Sequence, residues 1–273
     1  MQALRLTDSW PVDNVAVSVL RADGSTETSG DQDHLFRIAS VAKTITTWAC
    51  LVAVEEGIVA LDQPVGQPGC TLRHLLCHAG GYGFDGVDPI ARPERTRIYS
   101  NTGIEMAAAT VSEAAGIRFA DYLAEAVLQP LGMSATALNG SPAHHMSSTA
   151  ADLIRFINEV RRPRLISMAT AGDAKTSQFP ELSGIVPGVG RFSPCPWGLG
   201  FEVRGGKQPH WTGATNSPQT FGHFGGAGTF LWVDPAVGVA CLALTDRSFD
   251  EWADEALRTW PAFSDAVLAE AAT

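Results

Sequence analysis

Ser40 and Lys43 stand three residues apart at the head of an apolar run, and their spacing is the first suggestion of chemistry in this chain. On an α-helix, side chains at i and i+3 share a face, with Cβ atoms about 5–6 Å apart. A serine in the first turn then meets the amine of a lysine one turn on. That sets a weak nucleophile beside a base, provided burial or a neighbouring cation keeps the amine neutral part of the time. The start of a helix adds unpaired N–H groups where an oxyanion would develop. Four residues read equally well as a capping serine followed by a solvated lysine. The flanks argue otherwise: Phe36-Arg37-Ile38-Ala39 precedes, and Thr44 to Val54 is largely apolar up to Gly57. So apolar a helix is buried, and a buried lysine needs a partner or a function.

Two further polar groups lie downstream. Tyr99-Ser100-Asn101 precedes a predicted helix over 102–115. A tyrosine hydroxyl acts as a general base where a cation lowers its pKa, and an asparagine amide both donates and accepts. The structural alternative has Asn101 capping the helix and Tyr99 half-burying its ring. Gly222-His223-Phe224-Gly225-Gly226-Ala227-Gly228 joins two strand-like runs. Glycines there let a ligand approach the backbone and leave N–H groups for an oxyanion, and the plainer alternative is a hairpin connection. A phosphate loop does not fit, because no Gly-Lys-Ser/Thr follows. His74, Cys77 and His78 fall at i, i+3 and i+4 of a predicted helix, a spacing that metal ligands use. With no acidic or third histidine ligand nearby in sequence, we read them as packing and capping residues, and His144-His145 as a polar loop pair. No metal and no organic cofactor is expected.

The elements that must carry these groups follow from the pattern. At 273 residues and 45% apolar, the chain has the length for one large domain or two intimately packed ones. Asn14 to Leu20 and Ser25 to Ser29 flank an Asp-Gly turn and read as a β-hairpin. Helices are predicted at 71–77, 102–115, 118–128 and 149–160, and an irregular connection from Ser167 to Pro196. Strands return at Gly198 to Arg204, Gln219 to His223, Thr229 to Val233 and Val237 to Leu244. A last helix runs from Asp250 to Leu268, interrupted or kinked at Pro261. Strands and a helix, a helical middle, then strands and a helix imply an α+β fold. Its expected plan is an antiparallel sheet flanked by helices, residues 1–60 and 195–273 forming a discontinuous sheet domain and 61–194 a helical one.

A formal charge of −10 argues against nucleic acid or an anionic membrane as partner. The one basic cluster, Arg161-Arg162-Pro163-Arg164, follows a helical run and is read as helix C-terminal charge. Five widely spaced cysteines without a Cys-x-x-Cys suit a reducing compartment, and Cys50 and Cys241 lie in apolar runs as core residues. The N-terminal residues show no signal-peptide pattern, and no stretch approaches the ~18 apolar residues of a membrane span. The expected location is cytoplasmic.

In this order, Ser40-Val41-Ala42-Lys43, Tyr99-Ser100-Asn101 and His223-Phe224-Gly225 resemble the serine β-lactamase and penicillin-binding-protein superfamily. The nearest branch is the class C β-lactamase-like group with its D,D-carboxypeptidases, D-aminopeptidases and esterases. The family pattern is Ser-x-x-Lys, Tyr-x-Asn, then Lys/His-Thr/Ser-Gly. Thr71 to Gly81, Ser148 to Leu153 and Gly226 to Pro235 extend the likeness, which covers roughly residues 12–245. The resemblance implies the β-lactamase/transpeptidase-like fold and a serine hydrolase acting through an acyl-enzyme on an ester, amide or β-lactam. It implies Ser40 as nucleophile, Lys43 and Tyr99 as a coupled proton-transfer pair, and Asn101 holding substrate or the Lys43 amine. His223, Phe224 and Gly225 would border the substrate, with the N–H groups of Ser40 and Gly226 as the oxyanion hole. Phe224 departs from the pattern, because relatives carry a hydroxyl there that helps hold a substrate carboxylate. That favours a cytoplasmic esterase or amidase over a β-lactamase or D,D-carboxypeptidase. A non-turnover acylated sensor or binding domain is the alternative from another class, and oligomeric state is not legible.

Overall fold

The computed structural model describes residues 1–271. β1 (Val15–Leu20) and β2 (Thr26–Ser29) form the expected hairpin, with Val17 opposite Ser29. β3 (Phe36–Arg37) leads through a short 3-10 turn, Ala39–Val41, into α1 (Ala42–Glu55). The middle of the chain holds α2 (Leu72–Leu76), α3 (Asn101–Ala115), α4 (Phe119–Leu123) and α5 (Gln129–Leu131). There follow β4 (Ala137–Leu138), β5 (Met146–Ser148), α6 (Ala150–Arg161) and α7 (Met168–Lys175). A small hairpin, β6 (Gly184–Val186) and β7 (Gly190–Phe192), precedes β8 (Glu202–Val203) and β9 (Phe221–Gly225). β10 (Thr229–Asp234), β11 (Val239–Thr245) and α8 (Ala253–Ala271) complete the order.

The main sheet runs β2-β1-β11-β10-β9-β8, every neighbour antiparallel. Its central strands read as unbroken apolar runs because helices cover both faces. In β11, Ala240, Leu242 and Leu244 face the core built on α1, while Val239, Cys241 and Ala243 face the layer under α8. β10 divides in the same way, Leu231 and Val233 to one side, Phe230 and Trp232 to the other. Each such side chain contributes about 1.5–3 kcal/mol when fully buried. This is the α+β arrangement the sequence implied. α1 lies behind the sheet with twelve consecutive buried residues, Ala42 to Ala53. All five cysteines are buried and free.

Four local expectations needed correction. The stretch 167–196 is not irregular: Ser167 caps α7 by accepting the Thr170 N–H, and the β6–β7 hairpin follows. α7 buries only Ala171 and Ala174, so no apolar stripe betrayed it. The strand expected over 198–204 shrinks to β8, because Gly200 takes φ +73° against Thr47 and ends the extension. The helix expected over 118–128 passes through a π turn at Ala124–Leu128. α8 runs through Pro261 without interruption. Packing of Trp260, Phe263 and Val267 under the sheet offsets the ~3 kcal/mol a mid-helix proline costs.

Candidate active site

Ser40 sits on a strained bend. Ala39 takes φ +43°, an unfavourable conformation for a residue with a Cβ, and turns the chain from β3 into the 3-10 start of α1. Two elements hold this bend. Thr229 Oγ1 donates to the Ile38 carbonyl at 3.0 Å. Gly225, at the end of β9, presses so close that a Cβ there would lie 2.5 Å from the same carbonyl and 3.1 Å from the Ser40 nitrogen. Gly225 is thus required by the approach of β9 to the serine turn. A Cβ on Gly226 would meet nothing within 4 Å, and that residue faces the open cavity.

Lys43 is fully buried one turn into the helix. Its Nζ lies 3.1 Å from Ser40 Oγ, 2.7 Å from Asn101 Oδ1 and 3.0 Å from the Ala143 carbonyl. None of the three is a charged acceptor. Burial therefore pushes the amine down to about 7, against the pull of Glu105 and Asp85 further out. Asn101 and Ala143 occupy two amine hydrogens, which leaves the third direction, a lone pair in the neutral form, for the Ser40 hydroxyl. Asn101 is free for this because Ser100, not Asn101, caps α3 by accepting the Gly103 N–H. Asn101 Nδ2 donates to Asp85 at 3.1 Å, which fixes the amide so that its oxygen faces Lys43.

Tyr99 lies across this pair, its ring 4.7 Å from Lys43 Nζ and packed against His78, Phe84 and Trp197. Enclosure pushes the phenol above its ordinary range, although a hydrogen bond with Ser40 works the other way. Lys43 therefore does not turn Tyr99 into a phenolate, and the hydroxyl remains a proton donor. It reaches His223 Nε2 at 3.4 Å. His223 Nδ1 lies 2.6 Å from the Phe224 carbonyl, which only accepts, so Nδ1 carries the hydrogen and Nε2 accepts from Tyr99. Burial and the charge of Lys43 hold this imidazole down to about 3, uncharged at neutral pH. Ser40, Lys43, Tyr99, Asn101, His223, Gly225 and Gly226 all come together, from the 3-10 turn and α1, from the start of α3 and the segment before it, and from β9 and the turn after it.

Phe224 also borders the cavity, with its ring against Phe249, Trp211 and Trp260. The cavity, of about 210 Å³, is walled by Phe84, Trp197 and Phe249 and by Val186 and Pro187 of the small hairpin. None of these five was singled out from sequence, nor was the Ala143 carbonyl. Glu202 of β8 was missed as well. It lies at the back of the cavity, bonded to Lys207 Nζ at 3.2 Å, His210 Nε2 at 3.1 Å and Trp211 Nε1 at 2.6 Å. Burial works against its charge, yet Lys207, His210 and Trp211 hold the carboxyl down to about 2.

The histidines at ligand-like spacing have other roles. His74 Nδ1 takes part in the capping box of α2 with Thr71, its Nε2 meets Glu94 at 2.9 Å, and its ring stacks on Phe179. His78 Nδ1 accepts the Ser100 N–H at 3.2 Å and its ring backs Tyr99. Among the described residues, no group of three His, Cys, Asp or Glu is placed to hold a metal ion, and no helix is long and apolar enough to cross a membrane.

The family profile described as Beta-lactamase matches residues 11–262. A β-lactamase from Mycobacterium bovis superposes with a TM-score of 0.95 at 47% identity, covering 98% of this chain and 99% of that one. Penicillin-binding protein 4* of Bacillus subtilis (strain 168) is 27% identical over 137 residues, 38% of this chain and 30% of that protein. Esterase EstB of Burkholderia gladioli is 39% identical over 67 residues, 19% of this chain and 17% of the esterase. Those two matches thus span less than a third of the curated relatives' length.

Proposed function

This chain belongs to the Beta-lactamase family, and from that premise we propose that it is a serine hydrolase cleaving a small ester or amide through an acyl-enzyme on Ser40. The observation that carries this is the Lys43 amine, buried among uncharged acceptors, held near pKa 7 and 3.1 Å from Ser40 Oγ. Neutral Lys43 takes the Ser40 proton as Oγ bonds to the substrate carbonyl carbon. The negative oxygen that results lies toward the N–H groups of Ser40 and Gly226. Tyr99 gives its proton to the departing alcohol or amine as the ester or amide bond breaks, and Lys43 restores the proton balance. Water then attacks the acyl-enzyme by the reverse path, releasing the carboxylic acid and Ser40. Lys43 is the base in this scheme and Tyr99 the relay, because enclosure opposes the phenolate.

An uncharged, apolar acyl group fits the cavity best. In place of a cation and a hydroxyl that would hold a substrate carboxylate, the cavity has a neutral His223 and the Phe224 ring. β-Lactam hydrolysis is the second reading, supported by the M. bovis relative at 47% identity.

Parallel kcat/KM measurements on p-nitrophenyl butyrate and nitrocefin separate the two. A clear preference for the ester is expected, and a preference for nitrocefin would reverse the order. Ser40→Ala should abolish both activities and labelling by a fluorophosphonate, with the fold retained. More than about a tenth of wild-type turnover in clean protein would remove Ser40 from the mechanism, since losing a covalent nucleophile costs orders of magnitude.

A further inference from the structure

A second cavity, larger than the first at about 670 Å³, opens beyond the far end of β9. Its floor is apolar: Val203 of β8, Phe221 of β9 and Val233 of β10. Its rim carries Arg161, Arg162 and Lys175, from the ends of α6 and α7. In a chain of formal charge −10, three cations gathered without an acid call for an explanation. No carboxylate lines the cavity, and among the described residues none lies within 4 Å of these three side chains.

Helix-end charge accounts for only part of the arrangement. Lys175 Nζ, at the end of α7, donates to the Val160 carbonyl in the last turn of α6 at 2.9 Å, as a cation at a helix C-terminus does. Arg161, however, donates to the Arg21 and Gly238 carbonyls, at 2.9 and 2.8 Å, and so is pinned across the cavity mouth by segments outside its own helix. Burial and the adjacent Arg162 work against its charge, and no acid relieves it. A separate observation points the same way. Ser177 lines this cavity, and its hydroxyl oxygen, buried beneath the wall, has no hydrogen-bond partner among the described residues. Buried hydroxyls are nearly always paired, by protein, water or ligand.

We propose that this cavity is a binding site for an amphipathic anion, a carboxylate or phosphate head on an apolar chain. The head would lie among Arg161, Arg162 and Lys175, beside Ser177, and the chain over Phe221 and Val203. The site is separate from the catalytic cavity but shares strands with it: Val203 and Phe221 line one, Glu202 and His223 the other. Binding there does not depend on the hydrolase assignment; only the comparison with ester turnover does.

Titration calorimetry on the full chain tests it with decanoate, decyl phosphate, decanol and inorganic phosphate. One saturating site is expected for at least one of the two amphiphiles, tighter than for decanol or phosphate, and weakening as salt rises. Which amphiphile binds more tightly identifies the head group. Arg161→Gln and Lys175→Gln should each weaken binding about tenfold, the loss of one charge-assisted hydrogen bond at a partly exposed site. Both variants should keep wild-type KM for p-nitrophenyl butyrate, and the amphiphile should not compete with that ester. No binding, binding untouched by both substitutions, or purely competitive inhibition would overturn the proposal.

Discussion

Two buried lysines of this molecule have opposite surroundings. Lys43 and Lys207 are both almost wholly removed from solvent, and each Nζ has three polar neighbours. Around Lys43 these are a hydroxyl, an amide oxygen and a main-chain carbonyl, none charged. Around Lys207 they are the carbonyls of Pro196 and Val203 and the carboxylate of Glu202 at 3.2 Å. One carboxylate changes what burial does. Beside Glu202 the ammonium is compensated and ties the 204–210 loop to β8. Beside Asn101, burial works against the charge with no direct counterion, and the amine falls to about 7, where it can take a proton. Burial alone does not make a lysine reactive; burial without a counter-charge does.

The largest effect should come from removing the uncompensated lysine. Lys43→Met should lower kcat for p-nitrophenyl butyrate by about 10²–10⁴, with little change in KM. Its stability should move the other way. The pKa falls from an ordinary 10.5 to about 7 on folding, so the unfolded chain binds the extra proton between those pH values. The cost to the fold is therefore full below about pH 7 and vanishes as pH rises past 10.5. Accordingly, Lys43→Met should show a Tm at pH 6 no lower than wild type. A marked drop would mean that the amine is compensated after all.

Lys207→Met should do the reverse. Stripping one partner from a buried ion pair costs about 3–5 kcal/mol, so the unfolding free energy should fall by that order in urea titrations. kcat, measured where the variant is folded, should change by less than about tenfold. Adding Glu202→Gln should recover part of the loss, because the amide still accepts from Trp211 without an unpaired charge. If the double variant is less stable than the single, Glu202 is not the reason Lys207 is needed.

Giving Lys43 the environment of Lys207 sharpens the contrast further. Asn101→Asp, paired with Asp85→Asn to avoid two adjacent carboxylates, places an anion against Nζ. An opposite charge at that range raises a lysine pKa by about 1–3 pH units, leaving roughly 5- to 500-fold less neutral amine at pH 7. The acid limb of the kcat/KM–pH profile should move up by the same interval. In the wild type that limb should fall below about pH 7, as Lys43 gains its proton. The smallest test is therefore on the unmodified protein: a flat profile from pH 5 to 8 would detach Lys43 from the proposed proton transfer.

The strands of the sheet, α1 and α3 were legible in the sequence because their signals are local. Strand runs, turn residues and a buried helix pattern each lie within a dozen neighbours. Three-residue strands such as Gly184–Val186 are too short to show alternation, and α7 has too few buried residues to show a stripe. The site divides along the same line. Ser40 and Lys43 were legible as a pair because helical geometry fixes i and i+3, whereas Tyr99, Asn101 and His223, each with a structural alternative of its own, were joined to them only through the order of their motifs. The Ala143 carbonyl bears no signal, since every residue has one. Trp197, Phe249 and Glu202 belong to no motif.

Residue types and spacing by themselves determined which groups are present: a hydroxyl, an amine one turn away, a phenol, an amide and a glycine that lets a strand come close. Only the tertiary structure decided their protonation, because a pKa depends on what the rest of the fold packs around a group. The chain wrote the same residue at 43 and 207. The fold placed Asn101 beside one and Glu202 beside the other, and that difference in neighbours, contributed by distant segments, separates the proposed base from a structural ion pair.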